Sequence, residues 1–171
     1  TSVSSIEKLK NIVKIASDEV KKNKVVVVLS AMAGETNKLQ SYLDQFSSQN
    51  SIESDLVLTS GEQVTIGLLS AALKNNGIKS IPLLGWQIPI ITDENHEKAK
   101  ILHIDNKRID KYFKNNDVIV LAGFQGISLD GKITSFGRGG SDTTAVAIAS
   151  SIDAERCDIY TDVDGVYTTD P

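Results

Sequence analysis

A single cysteine, Cys157, among 171 residues excludes an internal disulfide framework and fits a reducing, cytoplasmic setting. Histidine is nearly as scarce. His96 and His103 have no cysteine cluster beside them, so the ligand set of a structural zinc site is lacking. Long apolar runs are lacking too: Val25 to Leu29 and Ile66 to Leu69 fall far short of a bilayer span, which argues against a membrane partner. Positive charge is not in excess, since 18 Lys and Arg stand against 22 Asp and Glu for a formal net charge of -4. That balance leaves no electrostatic footprint for nucleic acid or an anionic surface. There is no G-x-x-x-x-G-K-[ST] P-loop, no G-x-G-x-x-G fingerprint and no H-R-D loop. No signal peptide, internal repeat or interdomain linker stands out, and the chain does not open with Met, so Thr1 need not be a true N-terminus.

What is present alternates between helix and strand patterns. Ile6, Leu9, Val13, Ala16 and Val20 recur at steps of three and four, which predicts an amphipathic helix with these residues inward. Val25 to Leu29 is a continuous β-branched run of the kind buried on both faces of a parallel sheet. A helix is expected from about Thr36 to Phe46, and a surface loop from Ser47 to Ser54. Glu62 to about Asn75 reads as a helix with Val64, Leu68, Ala71 and Ala72 on one face. Strands are expected at Ile78 to Leu84, Ile88 to Thr92, Ile101 to Ile104 and Val118 to Ala122, with a break at Gly85-Trp86 and Trp86 as a packing anchor. Asp105 fits the cap of a helix over 106–113. Asp130-Gly131 has the chemistry of a hairpin turn, Ser141 to Ser151 reads as a helix, and Cys157 to Tyr160 as a last strand with Cys157 in the core. Buried strands separated by helices predict an α/β fold, a three-layer α/β/α sandwich with a mainly parallel sheet and a small hairpin excursion.

In such sheets ligands bind beyond the carboxyl ends of the strands. Three strand exits are unusual: Ser30 to Gly34, Gly123 to Gly126, and Thr161 to Gly165. A fourth element, Gly137-Arg138-Gly139-Gly140-Ser141-Asp142, directly precedes a helix. Its glycines allow close backbone approach, the helix N-terminus suits an anion, and Arg138 offers a fork for carboxylate or phosphate. The same residues fit an ordinary loop in which Asp142 and Thr143 cap the helix. Glu62 at a helix start fits the helix dipole as structure, and equally a substrate ammonium. The Asp/Gly spacing after Thr161 lacks the glycine and terminal Glu of a calcium loop.

Taken together and in order, Ser30-Ala31-Met32-Ala33-Gly34-Glu35-Thr36-Asn37, Ser60-Gly61-Glu62, Gly123-Phe124-Gln125-Gly126, Gly137 to Ala145, and Thr161-Asp162-Val163-Asp164-Gly165-Val166-Tyr167 through Pro171 resemble the aspartate kinase branch of the amino-acid kinase family. The resemblance covers essentially the whole chain. It implies the amino-acid kinase fold, the substrates ATP and L-aspartate, and Mg2+ arriving with the nucleotide. Residue by residue it implies that Glu62 takes the aspartate ammonium and Arg138 a carboxylate, with Thr36 at the substrate. It sets Ser30 and Ser141 near the ATP phosphates beside the backbone of Gly139 and Gly140, gives Asp142 a part in orienting the site, and lines the nucleoside pocket with Thr161, Asp162, Tyr167 and Asp170. Only 32 positions separate Ser30 from Glu62, which resembles the compact monofunctional enzymes. The family opens with Lys-Phe-Gly-Gly-Thr-Ser-Val, whereas this chain begins Thr1-Ser2-Val3. The resemblance therefore implies an internal fragment, an incomplete fold, absent regulatory ACT domains through which the oligomer would form, and little or no activity for these 171 residues alone. Two alternatives stay open: another kinase of the family acting on glutamate, acetylglutamate or a nucleotide, and a non-catalytic module that binds ATP or an amino acid.

Overall fold

The computed structural model describes Val3, residues 5–46 and residues 49–160. In chain order the elements are α1 (Ile6–Glu19), β1 (Val25–Leu29), α2 (Glu35–Asp44), α3 (Ile52–Leu58), α4 (Ser60–Asn75), β2 (Ser80–Leu83), β3 (Ile90–Thr92), β4 (Ile101–Ile104), α5 (Asn106–Phe113), β5 (Val118–Ala122), β6 (Gln125–Ser128), β7 (Ile133–Ser135) and α6 (Gly140–Ser151). The β-branched runs at 25–29 and 118–122 pair in parallel, Val25 with Val118 through Leu29 with Ala122, and β2 pairs with the other edge of β5.

Strand pleating sorts the side chains of this sheet between two cores. Val25, Val27, Leu29, Val118, Val120 and Ala122 face Leu9, Val13 and Ala16 of α1 and Ile66, Leu69 and Leu73 of α4. Val26, Val28, Ile119 and Leu121 face Ile109 of α5 and Ile148 of α6. β5 is buried along its whole length. The α/β/α sandwich expected from the alternating elements is thus formed.

The sheet itself is divided. A second sheet runs in the order β4-β3-β6-β7, with β3 and β6 parallel and the outer pairs antiparallel. The chain passes from β2 to β3 and from β5 to β6, so two neighbouring parallel strands each continue across a break into the second sheet. Phe124 makes one crossing with a φ of 66°, a left-handed conformation costing a non-glycine residue about 1–2 kcal/mol. Gln125, 1% exposed, bridges the break: its Oε1 accepts from Gly85 N at 3.3 Å and its Nε2 donates to Thr59 O at 3.2 Å. The Asp130-Gly131 hairpin forms as expected between β6 and β7.

Several expectations fail for identifiable reasons. In α4 the inward face carries Gly61, Glu62, Thr65, Ile66, Leu69, Ser70 and Leu73, whereas Val64 is 59% and Leu68 41% exposed and Ala71 is also exposed. Thr65 and Ser70 can be buried there because each finds a partner: Thr65 Oγ1 donates to Gly61 O, and Ser70 and Ser80 hydroxyls meet at 2.9 Å. Ile6 is the first residue of α1 and is exposed. The region around Ser54, expected as a loop, folds into α3 through a capping box between Ser51 and Ser54. Trp86 is 44% exposed and anchors little. Asp105 stands at the N-cap of α5 without a side-chain cap hydrogen bond. Cys157 is exposed and 157–160 form no strand, since the last turn of α6 leads into an exposed segment held by Arg156 ion pairs to Glu19 and Asp158.

The segment Ile52–Asn75 reaches a mean hydropathy of 1.4, enough by length and composition to cross a membrane, yet half of that window is buried inside the protein. Leu69→Ala, at a position with no exposure, is expected to lower unfolding free energy by about 2–5 kcal/mol. Val64→Ser should change it by no more than about 0.5 kcal/mol. Urea denaturation of the two variants checks which face of α4 is buried.

Candidate active site

The carboxyl ends of β1 and β5 lie side by side, with Gly123 N donating to Leu29 O at 2.9 Å. Three helix starts converge on this edge, and each lacks a side-chain cap. α2 begins just after β1 at Gly34, whose φ of 83° suits glycine alone. α4 comes so close that a Cβ on Gly61 would sit 2.8 Å from Ala31 Cβ. α6 comes closer still, since a Cβ on Gly123 would meet Ser141 Oγ at 2.7 Å and its Cα at 2.9 Å. Uncapped helix N-termini present backbone N–H groups and the positive end of the helix dipole, a combination that favours anions.

Against this cationic edge stands one buried carboxylate. Glu62, 3% exposed, accepts a hydrogen bond from Ala31 N at 3.0 Å through Oε1, while Oε2 is buried and has no partner among the described residues. Burial pushes its pKa up from 4.5 to about 7, against the smaller opposing pull of the Ala31 and Glu62 backbone N–H groups. An unsatisfied carboxylate oxygen out of water is costly unless a ligand completes it, and a bound ammonium has the right charge and donors.

The glycine-rich loop after β7 is built for close approach. Gly137 and Gly139 have φ values of 75° and 71°, and a Cβ on Gly140 would strike Phe124 Cδ2 at 2.8 Å. Thr144, fully buried on α6, donates to Gly140 O at 2.7 Å and accepts from Phe124 N at 3.1 Å, tying the helix start to the strained crossing after β5. Arg138 projects from this loop as an exposed side chain.

The full length of the chain, residues 1–171, matches the amino acid kinase family. The chain belongs to that family. It is 48% identical over 176 residues to an aspartokinase of Rickettsia conorii, covering 100% of this chain and 44% of that protein. An aspartokinase of Geobacillus stearothermophilus is 49% identical over 173 residues, covering 100% of this chain and 42% of its own. The chain thus spans less than half the length of these curated relatives. Among solved structures, an aspartate kinase from Synechocystis superposes with a TM-score of 0.80 at 38% identity, covering 100% of this chain and 28% of that one. Aspartokinase III of E. coli, solved with aspartate and ADP, shares the fold with a TM-score of 0.77 at 22% identity, over 94% of this chain and 48% of that one.

Within this member of the amino acid kinase family, the residues singled out in the sequence divide into three groups. Glu62, Gly139, Gly140, Ser141 and half-buried Ser30 and Asp142 sit at or beside the shared strand-end edge. Thr36 and Arg138 are exposed, Thr36 in the first turn of α2 and Arg138 on its loop. Thr161, Asp162, Tyr167 and Asp170 lie outside the described residues. Three polar residues, each at most 1% exposed, hold the edge together: Thr144 and Gln125, which lie within the motifs singled out in the sequence but were given no role of their own, and Asp55, which sequence reasoning passed over. Nothing in their local spacing marks these roles, because each has at least one partner 20 or more positions away.

Glu62 gives a pH signature. Between about pH 4.5 and 7 the folded protein retains a proton that the unfolded chain has released, so stability falls as pH rises through that window and levels off above it. The full drop is on the order of 3 kcal/mol, and Glu62→Gln should flatten it. Chemical denaturation at a series of pH values measures the slope. Gly123→Ala should destabilise the protein and displace the start of α6, read as lost hydrogen-exchange protection of the second-turn amides, which are the first to bond within the helix.

Proposed function

We propose that this chain is the catalytic portion of an aspartate kinase, which transfers the γ-phosphoryl group of MgATP to the β-carboxylate of L-aspartate to give 4-phospho-L-aspartate and ADP. The observation that carries the reading is Glu62: a buried carboxylate with one unpartnered oxygen, beside helix starts that favour anions, asks for a ligand bearing an ammonium next to negative groups. Aspartate and a nucleotide phosphate together meet that demand. The aspartokinase names of relatives 48–49% identical across the whole chain support the same substrate.

In this reading Glu62 holds the substrate ammonium and Arg138 a carboxylate, with Thr36 at the rim. Gly139, Gly140 and Ser141 at the start of α6, with Ser30 after β1, cradle the phosphates. Asp142 orients the first turn of α6. Thr161, Asp162, Tyr167 and Asp170 are assigned to the nucleoside. The acceptor is a carboxylate and already ionised at neutral pH, so no general base is required. A β-carboxylate oxygen forms the new bond to the γ-phosphorus as the bond to the bridging β,γ-oxygen breaks, and the electron pair leaves on ADP. The residues contribute alignment and N–H donors toward the equatorial phosphoryl oxygens. A divalent cation carried in on the phosphates would neutralise their charge. Placement in the cytoplasm and assembly into an oligomer through further domains belong to the same proposal.

The deciding experiment is hydroxylamine trapping of acyl phosphate by the full-length gene product, given MgATP and, separately, aspartate, glutamate and acetylglutamate. Hydroxamate with aspartate alone is the expected result. Signal with a different acceptor would keep the kinase and overturn its substrate. Arg138→Ala should then raise the aspartate KM, leaving the ATP KM nearly unchanged. Aspartate binding to the wild-type protein should strengthen from pH 6 to pH 8 as Glu62 ionises, and calorimetry in buffers of different ionisation heat should detect proton release on binding.

A further inference from the structure

We infer that Asp55 is a positioning residue for the acceptor half of the site, fixing the helix that carries Glu62 and the loop that carries Arg138 in one relation. The inference rests on the reading of those two residues as the grip on the acceptor. Asp55 lies on α3 with no exposure. Its Oδ1 accepts from Ser135 Oγ at 2.5 Å and from Glu97 N at 3.0 Å, and its Oδ2 meets His96 Nδ1 at 2.7 Å. These partners lie 41 to 80 positions away in sequence.

The partners lead directly to the loop. Ser135 ends β7 and stands three positions before Arg138. Ser135 O accepts from Ala99 N at 2.9 Å, and the Cβ that Gly137 lacks would lie 2.9 Å from Glu97 O. The 96–99 segment therefore grips Asp55 at one end and walls the glycine-rich loop at the other. In the opposite direction, Asp55 O accepts from Thr59 N at 3.1 Å and from Thr59 Oγ1 at 2.7 Å. Thr59 is the N-cap of α4, and its own carbonyl takes the Gln125 bond that spans the break between the sheets. One turn further on is Glu62.

The constellation is not a nucleophile. Ser135 and His96 both bond to Asp55 rather than to each other, and Ser135 is fully buried. Nor does burial favour a carboxylate here, since apolar packing removes the desolvation cost that a buried charge carries. What three directional donors supply is a fixed geometry between elements that share few other polar links.

The test uses the full-length gene product with two variants, Ser135→Ala, which removes only the link to β7, and Asp55→Asn, which keeps the shape. Steady-state kinetics should show the aspartate KM raised by at least about fivefold in each variant, with the ATP KM within about twofold of wild type and thermal unfolding still cooperative. Combined in one chain, the two changes should raise the aspartate KM by less than the product of their separate effects, because they cut the same link. Unchanged aspartate KM in a folded variant, or equal increases for aspartate and ATP, would overturn the positioning role. Should Asp55→Asn fail to fold, Ser135→Ala decides the matter by the same criterion. A wild-type protein that phosphorylates another acceptor overturns the substrate assignment instead, and the same KM comparison with that acceptor then judges Asp55 independently.

Discussion

The arrangement of this molecule depends on how closely two parallel strand ends and three helix starts are pressed together without side-chain caps. Gly123 N bonds to Leu29 O, while Gly61 abuts Ala31 and Gly123 abuts Ser141 at separations that admit no Cβ. Everything that makes the edge chemically distinctive follows from that closeness. The helix N–H groups are left to face a ligand, and Glu62 is carried out of water onto Ala31 N. A looser junction would leave room for capping side chains and water, and the carboxylate would titrate as an ordinary surface acid.

Holding such an edge requires support from behind, and two layers of it are visible. The first is apolar: β5 is buried throughout between the α1/α4 and α5/α6 cores, so the strand that leads into Gly123 cannot shift without disturbing both. The second is polar and sits where the sheet divides. Gln125 joins Thr59 to Gly85, Thr144 joins Gly140 to Phe124, and Asp55 joins α3 to β7 and the 96–97 segment. Each of these side chains is at most 1% exposed and has its partners in place, the condition under which buried polar groups rigidify rather than destabilise. The strained Phe124 conformation persists because these bonds surround it.

Much of this was legible in the sequence. The β-branched runs at 25–29 and 118–122 named the central strands, and the helices at 106–113 and 141–151 emerged within a residue of their expected bounds. The Ser30 to Gly34, Ser60-Gly61-Glu62 and Gly137 to Ser141 elements carried the family resemblance, and they meet at one edge as strand-exit logic expects. The misreading of α4 has a clear cause. Val64, Leu68 and Ala71 looked like an inward face because they are apolar, while the true face mixes Glu62, Thr65 and Ser70 with Leu69 and Leu73. A hydrophobic period cannot report which polar groups will find partners.

The sequence by itself determined the layered α/β/α class, the parallel central strands and the short glycine-bearing elements that name the family, because these rest on local conformational preference and on the periodic burial of side chains. Only the tertiary structure decided that the sheet splits in two, that Glu62 lies buried with an oxygen unsatisfied, and that Asp55, Gln125 and Thr144 are structural hubs. Those properties depend on partners 20 to 80 residues away, such as Thr144 for Phe124 and Ser135 for Asp55. The free energy of a buried polar group is set by what the fold brings to it, and no local stretch of sequence contains that information.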